Sequence, residues 1–157
     1  MIWKQNLILS QYCKMIDLNE ILITRISKND LTSVIDILQD ISVYNPSKIK
    51  HKNIWIKYSK QQNVFGYCFF YKKKLIGFGS LNFEMKLKKG LMAYMEDIVV
   101  HREFRNKKIG KLIVDYLIEI AKKENCYKIK LDCKKEKILF YEKLGFKENG
   151  FSMVKSL

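Results

Sequence analysis

The stretch YMEDIVVHREFRNKKIGKL, residues 94–112, concentrates the groups most able to do chemistry. Glu96 and Asp97 sit side by side in an otherwise apolar run. An ionised carboxylate in such a run is costly unless it is paired or has a task. One task is to take a proton from a reacting group; the other reading is a pair of hydrogen-bonded acids that stabilise the fold. Arg105, Asn106, Lys107, Lys108, Gly110 and Lys111 follow in a polar segment that runs into the apolar-periodic stretch from Ile109. If this is a strand-to-helix junction, it leaves unpaired N–H groups at the helix start, a natural anion site. Arg105, Lys107, Lys108 and Lys111 would add charge there. A basic surface loop is the alternative, because GxGxxG is absent and only Gly110 marks a close backbone approach.

The surrounding elements must position these groups. EILITRI, residues 20–26, reads as an opening strand, and SKNDLTSVIDILQDI carries a Ser or Asn cap candidate ahead of Leu31, Val34, Ile35, Leu38 and Ile41 at helical spacing. HKNIWIKYSKQQ is either a second short helix or an irregular cover. NVFGYCFFYKKKLIGFGSLNFEMK reads as two strands joined at YKKK, LKKG as a turn and LMAYMEDIVV as the next strand. Ile109, Leu112, Ile113, Tyr116, Leu117 and Ile120 form one helical face. ENCYKIKLDC alternates Tyr127, Ile129, Leu131 and Cys133 against Lys128, Lys130 and Asp132, as a strand does. KEKILFYEKLG is a short helix ended by Gly145, and FKENGFSMVKSL supplies a final strand or hairpin. Alternating strands and helices in the second half imply an α/β layer, and 157 residues fit one domain, 1–157.

The net charge of +14 raises nucleic acid as a partner. Arginine, the usual base reader, occurs only at Arg25, Arg102 and Arg105, and the lysines are spread along the chain, so a Lys-biased surface explains the charge equally well. No nucleic-acid partner is expected. No apolar stretch reaches the roughly 18 residues of a spanning helix, so no membrane partner is expected either. The opening MIWKQNLILSQYCK has a short apolar patch without a small-residue cleavage site, which argues against a secretory signal. Cys13, Cys68, Cys126 and Cys133 are scattered, with no CxxC and no close His. They read as reduced packing residues of a cytoplasmic protein, with no metal expected.

MEDIVVHREFRNKKIGKLIVDYLIEIAKK followed by NCYKIKLDCKKEKILFYEKLGF resembles the acetyl-CoA-binding half of the GCN5-related N-acetyltransferases (GNAT). The combination of EDIVV, CYKIKLDC and FYEKLGF is similar, more narrowly, to the branch that acetylates glucosamine 6-phosphate. The similarity is dense over residues 93–150 and weaker back to LITRI. It implies a mixed central sheet, splayed at the cofactor cleft and flanked by helices. The implied activity is transfer of acetyl from acetyl-CoA to the 2-amine of that sugar, towards UDP-N-acetylglucosamine, by a homodimer; another small amine or a protein amine is the alternative acceptor.

By this resemblance Arg105 and Gly110 match the first and last positions of the pyrophosphate loop RxxGxG, and Lys108 stands where the central glycine does. The donor would run along Ile98, Val99 and Val100. Asn106, Lys107, Lys108, Ile109, Gly110 and Lys111 would hold its diphosphate. Lys137 occupies the place of an Asn that contacts CoA. Glu96 matches the general base, Tyr141 the hydroxyl near the CoA sulfur, and Asp132 an acid beside the same cleft. Asp97 is expected to face away from Glu96, because neighbours on a strand point to opposite faces. Without the family, Tyr141 reads as an ordinary packing residue beside Phe140 and Leu144. Lys86, and Lys155 of a second chain, are the candidates for the sugar phosphate. Cys126 and Cys133 are unsuited as nucleophiles: His51 and His101 are the only histidines, and direct transfer to an amine needs none.

Overall fold

The computed structural model describes residues 16–42 and 44–156. Cys13 and the opening apolar patch lie outside the described residues. Five strands form one sheet in chain order: β1 (Leu22–Arg25), β2 (Val64–Tyr71), β3 (Lys74–Lys86), β4 (Gly90–Val100) and β5 (Lys128–Lys130). The first four are antiparallel neighbours, and β5 joins β4 in parallel. Helices α1 (Leu31–Leu38), α2 (Lys48–Ser59), α3 (Ile109–Lys123) and α4 (Ile138–Glu142) complete the mixed α/β layer. Among the described residues no helix is long and apolar enough to cross a membrane.

Local chemistry explains most of the boundaries. Lys72 and Lys73 both take positive φ (47° and 66°), which turns β2 into β3 with a two-residue loop whose twist suits a hairpin. Asp30, rather than a Ser or Asn, stands at the N-cap of α1, and its carboxylate accepts from the Ser27 N–H and Oγ–H at 2.9 and 2.6 Å. HKNIWIKYSKQQ is helical as far as Ser59. The apolar residues of α2 lie all round it, so periodicity alone could not choose between helix and irregular cover.

The two faces of the sheet carry separate clusters. Ile109, Ile113, Val114, Leu117 and Ala121 of α3 bury against Phe69, Ile76, Leu81, Ala93 and Met95. On the opposite face Val34 and Ile37 of α1 meet Cys68, Phe78 and Val99. α3 lies close to β3 because Gly77 and Gly79 lack side chains: a Cβ at either would come within 2.8 Å of Ile113. This close approach fixes the height of the α3 start above the sheet. α3 ends where Asn125 takes φ 57° and Cys126 N–H donates to Ala121 C=O at 3.0 Å.

Two expectations need correction. β5 is only Lys128–Lys130, not the whole of ENCYKIKLDC, because its pairing with β4 stops at Tyr94–Lys130. FKENGFSMVKSL forms neither strand nor hairpin among the described residues; residues 147–156 are exposed, Phe151, Met153 and Val154 almost completely so. Alternation in a segment marks a possible strand, but it becomes one only where its backbone pairs, and residues 147–156 join neither edge of the sheet among the described residues.

Candidate active site

β4 and β5 part beyond Tyr94 and Lys130, so among the described residues Met95–Val100 has no strand neighbour on the β5 side. The parting leaves backbone polar groups along that edge of β4 open to an extended ligand. Glu96 and Asp97 lie at its start. Gly77 pairs with Val100, Phe78 with Val99, and then Ser80 with Glu96, so Asp97 and Ile98 together face Gly79 in a bulge. Asp97 has φ 56°, a left-handed conformation uncommon outside glycine.

The bulge overturns the expectation that the two acids point to opposite faces. Ala93 and Met95 pack with α3, as do Ile98 and Val100, whereas Val99 packs with α1. The extra residue therefore puts Glu96 and Asp97 together on the α1–α2 side. Asp97 lines a cavity there with Leu31, Val34, Tyr58 and Phe78. Glu96 is held above the usual carboxylate range by burial first, then by the charges of Asp97, Asp132 and Glu84. Burial also pushes Asp97 up. Both side chains still reach solvent. The Tyr94 hydroxyl donates to Asp132, which ties β4 to the chain just beyond β5. Burial and then Asp132 push that hydroxyl up to about 12, so it remains a donor.

Tyr141 stands between Phe140 and Phe146, with ring centroids 5.0 and 5.8 Å away, in the cluster on the α3 side. Burial, then Cys133, raises its pKa, which keeps a proton on Oη. The structure thus sets the acids on one side of the parting strands and the phenol on the other. Lys137 is exposed in the turn before α4. Lys86 is bound to Glu84 at the far end of β3. Lys155 is exposed and is not brought to the site within one chain.

The segment before α3 winds through positive φ at Asn106 (60°) and Lys108 (62°), and no side chain caps the helix. Successive N–H groups turned in this way, ahead of a 15-residue helix, form an anion cradle. The loop's cations are less free than its sequence suggests. Arg105 Nη2 donates to Asp40 Oδ2 at 2.8 Å and its Nε to Val100 C=O at 3.3 Å. Lys111 pairs with Asp115, and Lys107 Nζ lies 5.4 Å from the Phe104 ring centroid. Backbone N–H groups and the helix start are therefore the groups left most available to an anion, with Lys108 exposed beside them. Because Lys108 already holds the glycine conformation, Lys108→Gly should relieve left-handed strain and stabilise the chain by about 0.5–1 kcal/mol. Calorimetric titration of CoA should show affinity kept within about threefold, because the N–H groups stay where they are.

Sequence reasoning missed Glu84, Tyr94, Asp40 and Tyr58. Tyr94 was open to a period-of-two argument, being two residues before Glu96 on one strand face. Asp40, in the turn after α1, and Tyr58, in α2, lie far away in sequence and carried no such signal.

A mixed sheet that parts at β4 and β5, beside an uncapped helix start and an acid-lined cleft, defines an acyl-CoA N-acyltransferase architecture. Residues 31–146 match the acetyltransferase (GNAT) family, and the chain belongs to that family. It is 38% identical over 84 residues, 52% of this chain and 56% of the other, to glucosamine 6-phosphate N-acetyltransferase of Arabidopsis thaliana. It is 39% identical over 82 residues, 51% and 55% of the two chains, to the Candida albicans enzyme of that name. The chain thus spans about half the length of these curated relatives. Among solved structures it superposes on a Trypanosoma brucei acetyltransferase with a TM-score of 0.79 at 27% identity, covering 87% of this chain and 99% of that one. The Arabidopsis glucosamine 6-phosphate N-acetyltransferase gives 0.78 at 26%, covering 87% and 97%.

Proposed function

We propose that the chain acetylates the 2-amine of glucosamine 6-phosphate with acetyl-CoA. The observation that carries this reading is the gathering of Asp97, Asp132 and Glu84 close enough for their charges to act on Glu96 beside the β4–β5 parting, in a chain of net charge +14. An acid-lined cleft on a basic protein selects a cationic or hydroxyl-rich acceptor over the anionic bulk. The relatives named for this reaction supply the particular sugar.

Acetyl-CoA supplies an activated acetyl thioester. The N–H groups of Lys107–Lys111 fit its diphosphate, and the open edge along Ile98, Val99 and Val100 fits its extended arm. Glu96 takes the proton from the amine, a role its raised pKa suits. Asp97 and Asp132 orient the sugar. Tyr141 Oη holds a proton ready for the departing sulfur. Lys86, with Lys155 from a second copy, meets the sugar phosphate, which makes the active species a dimer.

A second reading has its own support. The cavity beside Asp97 is lined mainly by apolar residues such as Ile26, Leu31, Val34, Ile54 and Phe78, which suits a less polar amine of the same reaction class. An acceptor screen with acetyl-CoA separates the two. The expected result is a kcat/KM for glucosamine 6-phosphate at least about tenfold above that for aliphatic and arylalkyl amines, equivalent to about 1.4 kcal/mol. A preference for the apolar amines would replace the sugar phosphate as acceptor while keeping the donor site.

A further inference from the structure

Tyr58 of α2 reaches across the α1–α2 face of the sheet and buries its hydroxyl beside Gly66 and Phe78. A Cβ on Gly66 would lie 2.6 Å from Tyr58 Oη, so the missing side chain makes room for the phenol. Gly66 pairs with Ser80, and Ser80 with Glu96, which places the phenol above the same cross-strand row as the proposed base. Oη is fully buried and has no hydrogen-bond partner among the described residues. Asp97 lines the same cavity, of about 310 Å³, and its carboxylate accepts no hydrogen bond from any described residue. An unmatched donor and an unmatched acceptor thus share one cavity.

The phenol is costly as it stands, because a buried polar group without a partner forfeits its hydration, whereas the Asp97 carboxylate still reaches solvent. Asp97 is in addition held in a left-handed bulge conformation. The charge of Asp97 already acts on Tyr58: after burial it is the largest influence that pushes the phenol up to about 12. The hydroxyl is therefore protonated and able to donate throughout the working pH range. The open cavity gives the ring space to turn.

We propose that Tyr58 is a positioning residue for the acceptor: when the amine enters the cleft, its hydroxyl leaves Gly66 and donates to the Asp97 carboxylate, holding that carboxylate on the substrate. The inference rests on the acetyltransferase reading above. It explains why a phenol rather than a phenyl group is buried beside Gly66, since phenylalanine would fill the same space with no orphan oxygen.

Steady-state kinetics of Tyr58→Phe, Asp97→Asn and the double variant, with glucosamine 6-phosphate and acetyl-CoA, test it. Tyr58→Phe should raise the acceptor KM about tenfold, as expected for a lost hydrogen bond to a charged group, with kcat lowered less than about threefold. CoA affinity should be unchanged, and the melting temperature unchanged or higher. The double variant should show an acceptor KM no greater than that of Asp97→Asn alone, because the two act through one contact. A Tyr58→Phe KM within twofold of the parent overturns the inference, as does a KM in the double variant that is the product of the two single effects. A parent chain inactive on the sugar phosphate overturns the functional reading and this inference together, whereas an active parent with an unchanged Tyr58→Phe KM overturns the inference alone.

Discussion

Replacing Glu96 with glutamine is expected to lower kcat for acetyl transfer by about ten- to a thousandfold while leaving CoA affinity nearly unchanged. Glutamine keeps the size of the side chain but cannot accept a proton from the amine. The pH dependence gives a second signature. Glu96 acts as the carboxylate, so the parent's rate should fall as pH drops through a pKa that burial, then Asp97, Asp132 and Glu84, hold above the usual range. Removing a neighbouring negative charge, as in Asp97→Asn, should move that acid limb to lower pH. The glutamine variant should lose the limb and gain rate towards high pH, where more acceptor amine is already neutral. Stability supplies the control. A carboxyl whose folded pKa stands above its unfolded value disfavours the fold where it is ionised, and this cost fades as pH falls through the folded pKa. Glu96→Gln should therefore be no less stable than the parent at neutral pH. A kcat within twofold of the parent across about pH 6 to 9, measured on a step sensitive to chemistry, would make Glu96 structural.

Gly110→Val should abolish measurable CoA binding, or weaken it by at least about a hundredfold, in a chain that stays folded. A Cβ at Gly110 would meet Phe140 at 3.5 Å and Val100 at 3.7 Å, both ordinary contact distances, so the protein itself has room for that first carbon. That space lies between β4 and α4, at the base of the parting strands and in the first turn of α3. The branched side chain would project where the donor's diphosphate has to approach backbone N–H groups. Gly110→Ala should give a smaller loss in the same direction. Calorimetric titration with CoA, beside a melting curve, separates the two effects: an unchanged affinity in a folded Gly110→Val chain would remove the segment before α3 from the donor site.

Much of this was legible in the sequence because it rests on local rules. Periodicity gave α3 and its buried face, since a helix packed on one side must repeat its apolar residues every three or four positions. The acids in EDIVV and the polar run into Gly110 marked a candidate site for the same kind of reason: charge in an apolar strand, and unpaired N–H groups at a helix start, are costly wherever they have no role. The family resemblance then attached chemistry to those positions. α2 was not settled in this way because its apolar residues do not fall on one face, and β5 was overread because alternation says nothing about how far a partner strand stays alongside.

Tertiary structure decided how the groups face one another. Asp97 and Glu96 alternate in sequence and should diverge, yet the bulge opposite Gly79 inserts one residue and brings both to the α1–α2 face. No local pattern encodes that step, because it depends on how many residues of β3 lie across the ladder. Arg105 reads as a free cation but is held by Asp40, 65 positions away. Tyr58 reads as part of a short helix or an irregular cover but ends as a hydroxyl over Gly66 with no partner among the described residues. The sequence by itself determined which elements form and which residues are too polar for their surroundings, since those follow from backbone geometry and hydration one segment at a time. Only the packed sheet decided which of those residues share a cleft, because strand register, bulges and helix height are set by contacts between segments distant along the chain.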